Sequence, residues 1–438
     1  MARIPDMRIA IVGTGIAGLS AAWTLHRAGH DLTLFEAGGH VGGHVNTVPV
    51  EIGGRTWPVD TGFIVFNDWT YPNFLSLLAT LGVERRPTDM GFSVRDEASG
   101  IEYNGRNLNT LFAQRRNLLR PSHWRMIGDI LRFAREADGI IADPAQPSLG
   151  EVLDRGRYSE AFRERYLVPM GAAIWSASAA SVLRMPARFF LSFFRNHGML
   201  SVDDRPQWYT VTGGSAAYVA AMVAPFRERI HLRTPVLGIR RLPDRVVLRH
   251  RGGSGTFDAV ILASHSDQAL ALLEDPAPEE RAVLGALRYQ PNEAILHGDE
   301  SVLPRRRSCW AAWNYHLLAD RGERPVPVTY HMNLLQGFSD APQSFLVTLN
   351  HDQGIDPRRI IARIPYHHPI FDPDAVAAQA RWGEINGARR TWFCGAYWRN
   401  GFHEDGLVSG LRVARGLGAE APWQADLGDA HVDRSSRA

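Results

Sequence analysis

The first 35 residues alternate between apolar runs and a glycine-punctuated break. Arg8 to Val12 is a short apolar run, Gly13-Thr14-Gly15-Ile16-Ala17-Gly18 follows, and Leu19 to Ala28 has the alanine and leucine content of a helix. Gly29 ends that helix, Asp31 to Phe35 is a second β-rich run, and Glu36 closes it. The pattern predicts strand, turn, helix, strand. Further on, Ile230 to Val236, Arg245 to His250 and Phe257 to Ala263 are apolar or alternating runs, and Gly252-Gly253-Ser254-Gly255 is predicted to be a hairpin turn. Thr391 to Cys394 predicts one more short strand, then a loop from Gly395 to Gly406 and a helix from Leu407 to about Gly416. Two regions differ in character: 86–204 is helix-rich with aromatic and arginine clusters, and 280–385 has strands and many prolines.

The glycines of the first turn have a physical reading. Gly13 permits a tight turn, Gly15 lets the backbone approach a pyrophosphate, and Gly18 lets the helix press on the strand. The N-terminus of the following helix, with Ile16 and Ala17, then faces the phosphates, and its free N–H groups and dipole favour anions. Glu36, at the end of the second strand, is placed to accept hydrogen bonds from an adenosine ribose. The expected fold class is α/β, α+β overall: a glutathione-reductase-like Rossmann domain built from 6–85, 205–279 and 386–420. A substrate domain of mixed sheet and helices, 86–204 and 280–385, is inserted into it, and 421–438 form a loose C-terminal tail.

Composition narrows the chemistry. The chain has 438 residues, is 45% hydrophobic and 21% charged, and carries a net charge of +2. No basic and aromatic groove marks a nucleic-acid binder, so none is expected. All 48 basic residues are arginine, which excludes Schiff-base and P-loop lysine chemistry. Cys309 and Cys394 are far apart and make no Cys-x-x-Cys pair. His367-His368, flanked by prolines, has no third ligand at helical spacing, so no metal is expected. The cysteine usage fits a reducing cytoplasm, and no stretch of about 20 apolar residues occurs, so no membrane crossing is expected. One segment, 112–135, interleaves six arginines of Arg115 to Arg135 with Leu118, Leu119, Trp124 and Leu131 against the single acid Asp129; it leaves peripheral contact with the inner membrane surface open as the second reading beside a wholly cytoplasmic protein.

After Glu36 come Ala37 and Gly42-Gly43-His44-Val45-Asn46-Thr47, then Val59-Asp60-Thr61-Gly62-Phe63-Ile64. In this order the chain resembles the flavin-containing amine oxidase superfamily, which includes protoporphyrinogen oxidases and carotenoid desaturases. The resemblance resumes at Gly213-Gly214-Ser215 and Thr234-Pro235-Val236. It closes at Phe393-Cys394-Gly395 and Gly401-Phe402-His403-Glu404-Asp405-Gly406-Leu407-Val408-Ser409-Gly410. It implies noncovalent FAD held by Gly13, Gly15, Ile16, Ala17, Gly18, Glu36, Ala37, Gly42, Gly43, His44, Gly62, Phe63, Val236, Gly395, Asp405, Gly406 and Leu407.

Three departures shape the implied chemistry. Many amine oxidases of the superfamily carry a lysine near flavin N5 and this chain has none, which disfavours amine oxidation of that kind. His44 replaces the usual arginine, and Ala396 stands where an acid is common. Trp310 to Tyr315, Tyr330 to Asn333 and Gly401 to Gly406 are most similar to a bacterial branch of NAD/FAD-binding proteins that accompanies lipid-modifying methyltransferases of the cyclopropane fatty-acid type. That likeness implies a dehydrogenase or desaturase in lipid metabolism, with an apolar, acyl-chain substrate, hydride transfer to flavin N5, and oxygen, a quinone or another carrier as acceptor. A double-bond isomerase, an amine oxidase-like enzyme and a noncatalytic carrier on the same fold are the alternatives. His403, Glu404, Trp398 and Tyr397 are the candidate catalytic residues, with helix capping as the structural alternative for the acids and core packing for the aromatics. Arg188 to Arg195 either lines an apolar tunnel or is a core helix.

Overall fold

The computed structural model describes residues 6–201, 203–319 and 326–428. Its central sheet is five-stranded and parallel, in the order Ile230–His231, Asp31–Phe35, Arg8–Val12, Ala259–Leu262 and Thr391–Phe393. Segments more than 100 residues apart thus meet in one layer. Parallel strands are covered on both faces and read as continuous apolar runs. Ile9, Ala10, Ile11, Val260, Ile261 and Leu262 accordingly have no exposed surface. Helices Ile16–Arg27 and His403–Gly416 pack together against this sheet.

A three-stranded antiparallel sheet, Val236–Arg241, Val246–His250 and Gly253–Phe257, packs on it through Ile239, Val246, Leu248 and Phe257. Here the expected turn shifts. Gly253 pairs with His250 and Gly255 with Leu248, so most of the glycine run is strand. The missing side chain at Gly255 is occupied by the Phe257 ring, which a Cβ would approach to 2.8 Å.

The two intervening regions contribute strands to a single seven-stranded sheet, ordered Ile360–Pro369, Tyr289–His297, Leu346–Leu349, Val328–His331, Trp313–Leu317, Phe92–Asp96 and Ile101–Asn104. The join is the parallel pair Trp313–Leu317 with Phe92–Asp96. Helices of 108–196 pack against this sheet around Phe133, Phe162, Phe190 and Phe194. Residues 421–428, expected to begin a loose tail, are instead held. Trp423 packs against Trp23 with tilted rings 5.9 Å apart, and the Trp423 indole N–H and Asp426 N–H both donate to Asn73 Oδ1. Residues 429–438 lie outside the described residues. Among the described residues no helix is long and apolar enough to cross a membrane.

Candidate functional site

A large cavity of about 1140 Å³ runs between the central sheet and the seven-stranded sheet. It exceeds the 300–1000 Å³ usual for one drug-sized ligand, so it has room for a dinucleotide and a second molecule. Two exposed rims bound it: one carries Ala37, Gln268 and Ala271, and the other Asp89, Arg205 and Gln207.

At the first rim the glycine turn has its stereochemical cause. Gly13 sits at φ +103°, a conformation that strains any L side chain, and a Cβ there would lie 2.7 Å from the Ala263 carbonyl oxygen. A Cβ on Gly18 would lie 2.2 Å from the Gly13 carbonyl oxygen, so only glycine lets this helix approach the turn. Gly15 is different: a Cβ there meets nothing within 4 Å and would project into open space. Gly42 donates to the Thr14 carbonyl at 3.0 Å, which draws the second glycine loop over the first. Glu36 is fixed by the Thr14 amide and hydroxyl, at 3.0 and 2.6 Å, and by the Gly38 amide at 2.7 Å.

Two helix N-termini converge on the cavity. Gly406 packs on Ile16, whose Cγ2 a Cβ would approach to 2.7 Å, and a Cβ on Gly410 would lie 2.2 Å from the Ala17 carbonyl oxygen. The Ser20 hydroxyl donates back to the Leu407 carbonyl at 3.2 Å. Both positive dipole ends therefore face the same space, a setting that favours anionic or electron-rich groups. Asp60 ties the middle together, accepting from Thr47 at 2.6 Å, from the Ser215 hydroxyl at 2.7 Å and amide at 2.9 Å, and from Gln336 at 3.1 Å. Burial outweighs these bonds and raises its pKa to about 6. The Gly213-Gly214-Ser215 motif thus serves as an anchor for the segment carrying Thr61, Gly62 and Phe63.

Of the residues singled out from sequence, Gly13, Gly15, Ile16, Ala17, Glu36, Ala37, Gly42, Gly43, His44, Gly62, Phe63, Val236, Gly395, Gly406 and His403 line this one cavity. Gly18, Asp405 and Leu407 stand behind its wall. The closing helix starts at His403 rather than Leu407, because Asp405 accepts from the Phe402 amide at 2.9 Å and closes the first turn. His403, Glu404 and Asp405 are therefore helical, not loop. Glu404 turns away from the cavity: its carboxylate accepts from Asn73 N, Asn73 Nδ2 and Phe74 N at 2.8–2.9 Å, clasping the start of helix Pro72–Leu81. Burial lifts its pKa to about 7 against those three donors. Tyr397 and Trp398 do not reach the cavity either. They are buried in the core under the antiparallel sheet, with Tyr397 folded beneath Gly395, whose Cβ would lie 2.2 Å from its ring. His403 does face inward, stacked on Phe63 at 3.6 Å, with Nε2 paired to the Tyr218 hydroxyl at 2.7 Å.

Several lining residues escaped sequence reasoning. His265, His367, His368 and Tyr366 reach the cavity from two distant segments, and Tyr366 stacks on His44 at 4.7 Å while bonding the Thr61 hydroxyl at 3.0 Å. Burial, and then mutual proximity, holds His44 down to about 3 and His368 to about 4. These imidazoles are neutral at pH 7. Beyond them the wall is Phe92, Tyr166, Met170, Phe193, Trp208, Trp313 and Tyr330. Helix Ala187–Asn196 is mostly core, with Phe193 alone of its phenylalanines lining the cavity. Among the described residues, the lining carries three Asp, Glu or Arg side chains, Glu36 at one rim and Asp89 and Arg205 at the other.

The residues present fit a bound FAD: the open space at Gly15, the turn at Gly13 and the unpartnered His44 Nε2 all face one cavity crossed by two helix N-termini. Comparison with known proteins agrees. The model of the family described as flavin containing amine oxidoreductase matches residues 16–303. An L-amino-acid oxidase of Pseudechis australis is 25% identical over 365 residues, 74% of this chain and 63% of its own, so the chain spans less than two thirds of that relative's length. A protein of Mycobacterium tuberculosis named as a flavin-containing monoamine oxidase is 26% identical over 361 residues, 76% of this chain and 74% of its own. Among solved structures, the CLA-producing fatty acid isomerase from P. acnes superposes with a TM-score of 0.67 at 18% identity, covering 95% of this chain and 99% of its own. Cyclohexylamine oxidase from Brevibacterium oxydans IH-35A does so at 0.66 and 16%, covering 94% and 99%; at such identities the likeness is one of fold. With residues 16–303, about two thirds of its length, matched by that family's model, the chain belongs to the flavin-containing amine oxidoreductase family, whose cofactor is FAD.

Proposed function

We propose that this chain is an FAD-dependent oxidoreductase acting on an apolar, acyl-chain-like substrate, as a dehydrogenase or desaturase. One observation carries the proposal: among the described residues, the cavity wall between Glu36 and the exposed Asp89 and Arg205 rim has no carboxylate and no guanidinium, only aromatic, aliphatic and histidine side chains with a few neutral polar ones such as Thr61, Ser176 and Asn400. An amino acid brings a carboxylate and an ammonium, and an amine an ammonium. Burying either ion without a partner is costly, and among the described residues no carboxylate or guanidinium lies inside to receive it.

FAD, held noncovalently, would supply the hydride acceptor; Gly13–Ala17, Glu36 and Gly42–Gly43 would hold its ADP portion, and Gly62, Phe63, Gly395 and Gly406 its ring system. The protein's own part is to exclude water and hold the chain of the substrate against that ring system, with Phe193, Trp208, Trp313 and Tyr330 as the walls. Under this proposal 6–85, 205–279 and 386–420 form the FAD domain and 86–204 with 280–385 the substrate domain. Electrons leave to oxygen, a quinone or another carrier. Acyl-lipid profiles of cells with and without the gene test it: a lost double bond or a build-up of saturated precursor is expected, and unchanged acyl chains overturn the substrate assignment while leaving FAD in place.

Amine oxidation is the second reading, favoured by the names of the matching relatives, an L-amino-acid oxidase and a monoamine oxidase. Aromatic walls also attract cations through their π faces. The two readings part on whether amines or acyl chains reduce the flavin.

A further inference from the structure

Among the described residues nine large apolar side chains are exposed, and five of them, Leu108, Leu118, Leu119, Trp124 and Leu131, fall within 24 residues of chain. Leu119 is 87% and Leu108 73% exposed, which no packing within the chain explains. Helix Pro121–Ile141 buries His123, Met126, Phe133 and Ala137, leaving Trp124 and Leu131 on its outer side. Interleaved with them are the exposed Arg115, Arg116, Arg125 and Arg135, none of which makes an ion pair among the described residues. The one acid in that span, Asp129, is tied to Arg132 at 3.1 Å and to the Ser159 amide at 2.9 Å, so it does not offset them.

We propose that this face, Leu108 to Arg135, is a docking surface for an anionic lipid bilayer. Apolar side chains interleaved with arginines fit the boundary between acyl chains and headgroups, and the indole of Trp124 suits that depth because it has both an apolar body and a polar edge. Exposed guanidiniums with no carboxylate partner match headgroup phosphates, to which such groups bond in bidentate fashion; Arg115 and Arg116 meanwhile donate to the Phe112 and Gly100 carbonyls, which keeps them at this face. The face also adjoins the cavity. Asp89, on the outer rim, pairs with Arg106 at 3.3 Å, and Leu108 follows two residues later. Docking therefore sets that rim beside the lipid. This last placement deepens the apolar-substrate proposal and rests on it, whereas the docking itself does not.

The test uses the FAD-loaded full chain and vesicles, with no substrate. Co-sedimentation is measured with vesicles containing phosphatidylglycerol and with pure phosphatidylcholine, for the wild type, L119S/W124S and R116E/R125E. All four positions are exposed, and FAD content and melting temperature report whether each variant folds. The wild type is expected to pellet with phosphatidylglycerol vesicles in a salt-sensitive manner. Both variants are expected to bind about tenfold or more weakly, the order set by removing two inserted side chains or reversing two charges. Failure of the wild type to bind at low salt overturns the proposal, as does equal binding by folded variants. A concentration-dependent dimer that L119S/W124S dissolves, without vesicle binding, would assign the face to a second copy of the chain instead.

Discussion

Replacing Gly15 by alanine separates the space a cofactor needs from the space the protein needs. Gly15 has φ −69° and ψ 175°, a conformation alanine adopts freely, and its Cβ would meet no protein atom within 4 Å. The FAD-free chain should therefore gain about 0.4–1 kcal/mol from the stiffer unfolded state. The methyl group instead enters the space assigned to the pyrophosphate, and forcing such a contact costs about 1–3 kcal/mol, roughly 5- to 150-fold in affinity. Gly18→Ala is the counterpart. Its Cβ would lie 2.2 Å from the Gly13 carbonyl oxygen and 3.0 Å from the Ala263 Cβ, so the helix must retreat from the turn by about an ångström to restore ordinary contact. That variant should lose about 1–3 kcal/mol in the FAD-free state as well. Denaturant unfolding of the FAD-free chains and titration by flavin fluorescence measure the two effects separately. If Gly15→Ala binds FAD as the wild type does, the pyrophosphate does not pass that turn and the assignment fails.

Glu404→Ala removes the acceptor for three N–H groups at the start of helix Pro72–Leu81 and should destabilise the chain by about 2–4 kcal/mol, measured by denaturant midpoint. An effect confined to turnover, with stability unchanged, would instead return Glu404 to the chemistry. Stability should also depend on acid. His44 is held to about 3, and His265, His297 and His368 to about 4, so these four bind fewer protons folded than unfolded below pH 6.5. Asp60 and Glu404, raised to about 6 and 7, act in the opposite sense, but they are two against four. The histidine contribution is present above pH 6.5 and lost as pH falls, leaving a net slope on the order of 2 kcal/mol per pH unit near pH 5. A denaturant midpoint that rises on acidification from pH 7 to 5 would contradict this balance. Trp313→Ala, in the apolar wall, should raise KM for an acyl substrate by tenfold or more, as about 1.5–3 kcal/mol of apolar contact is lost, while FAD content stays unchanged.

Much of the cofactor side was legible because its elements follow local rules. Arg8 to Val12 and Asp31 to Phe35 are apolar runs bounded by glycines, and they are strands at those positions. The closing helix was read four residues short because His403-Glu404-Asp405 looks like a polar loop. The acids are helical because each finds amide partners, Asp405 at Phe402 and Glu404 at Asn73 and Phe74, the latter more than 300 residues away in sequence. Tyr397 and Trp398 follow Gly395 so closely that proximity suggested a cavity wall; the chain turns there and sends both rings into the core. His44, His368 and His403 each drew notice in the sequence, but nothing there joined them to one another or to His265. Four separate segments supply these histidines, and only the parallel sheet and its insertion bring them to one cavity. The apolar tail residues Trp423 and Leu427 were a missed cue, since isolated large apolar residues at a chain end often mark docking onto a core.

The most direct test mixes the purified flavoprotein with candidate substrates in the absence of oxygen and follows the absorbance band of oxidised flavin. Bleaching by saturated acyl lipids, with none by primary amines or L-amino acids, is the predicted result; bleaching by amines or amino acids while acyl lipids leave the band untouched would contradict the apolar-substrate proposal.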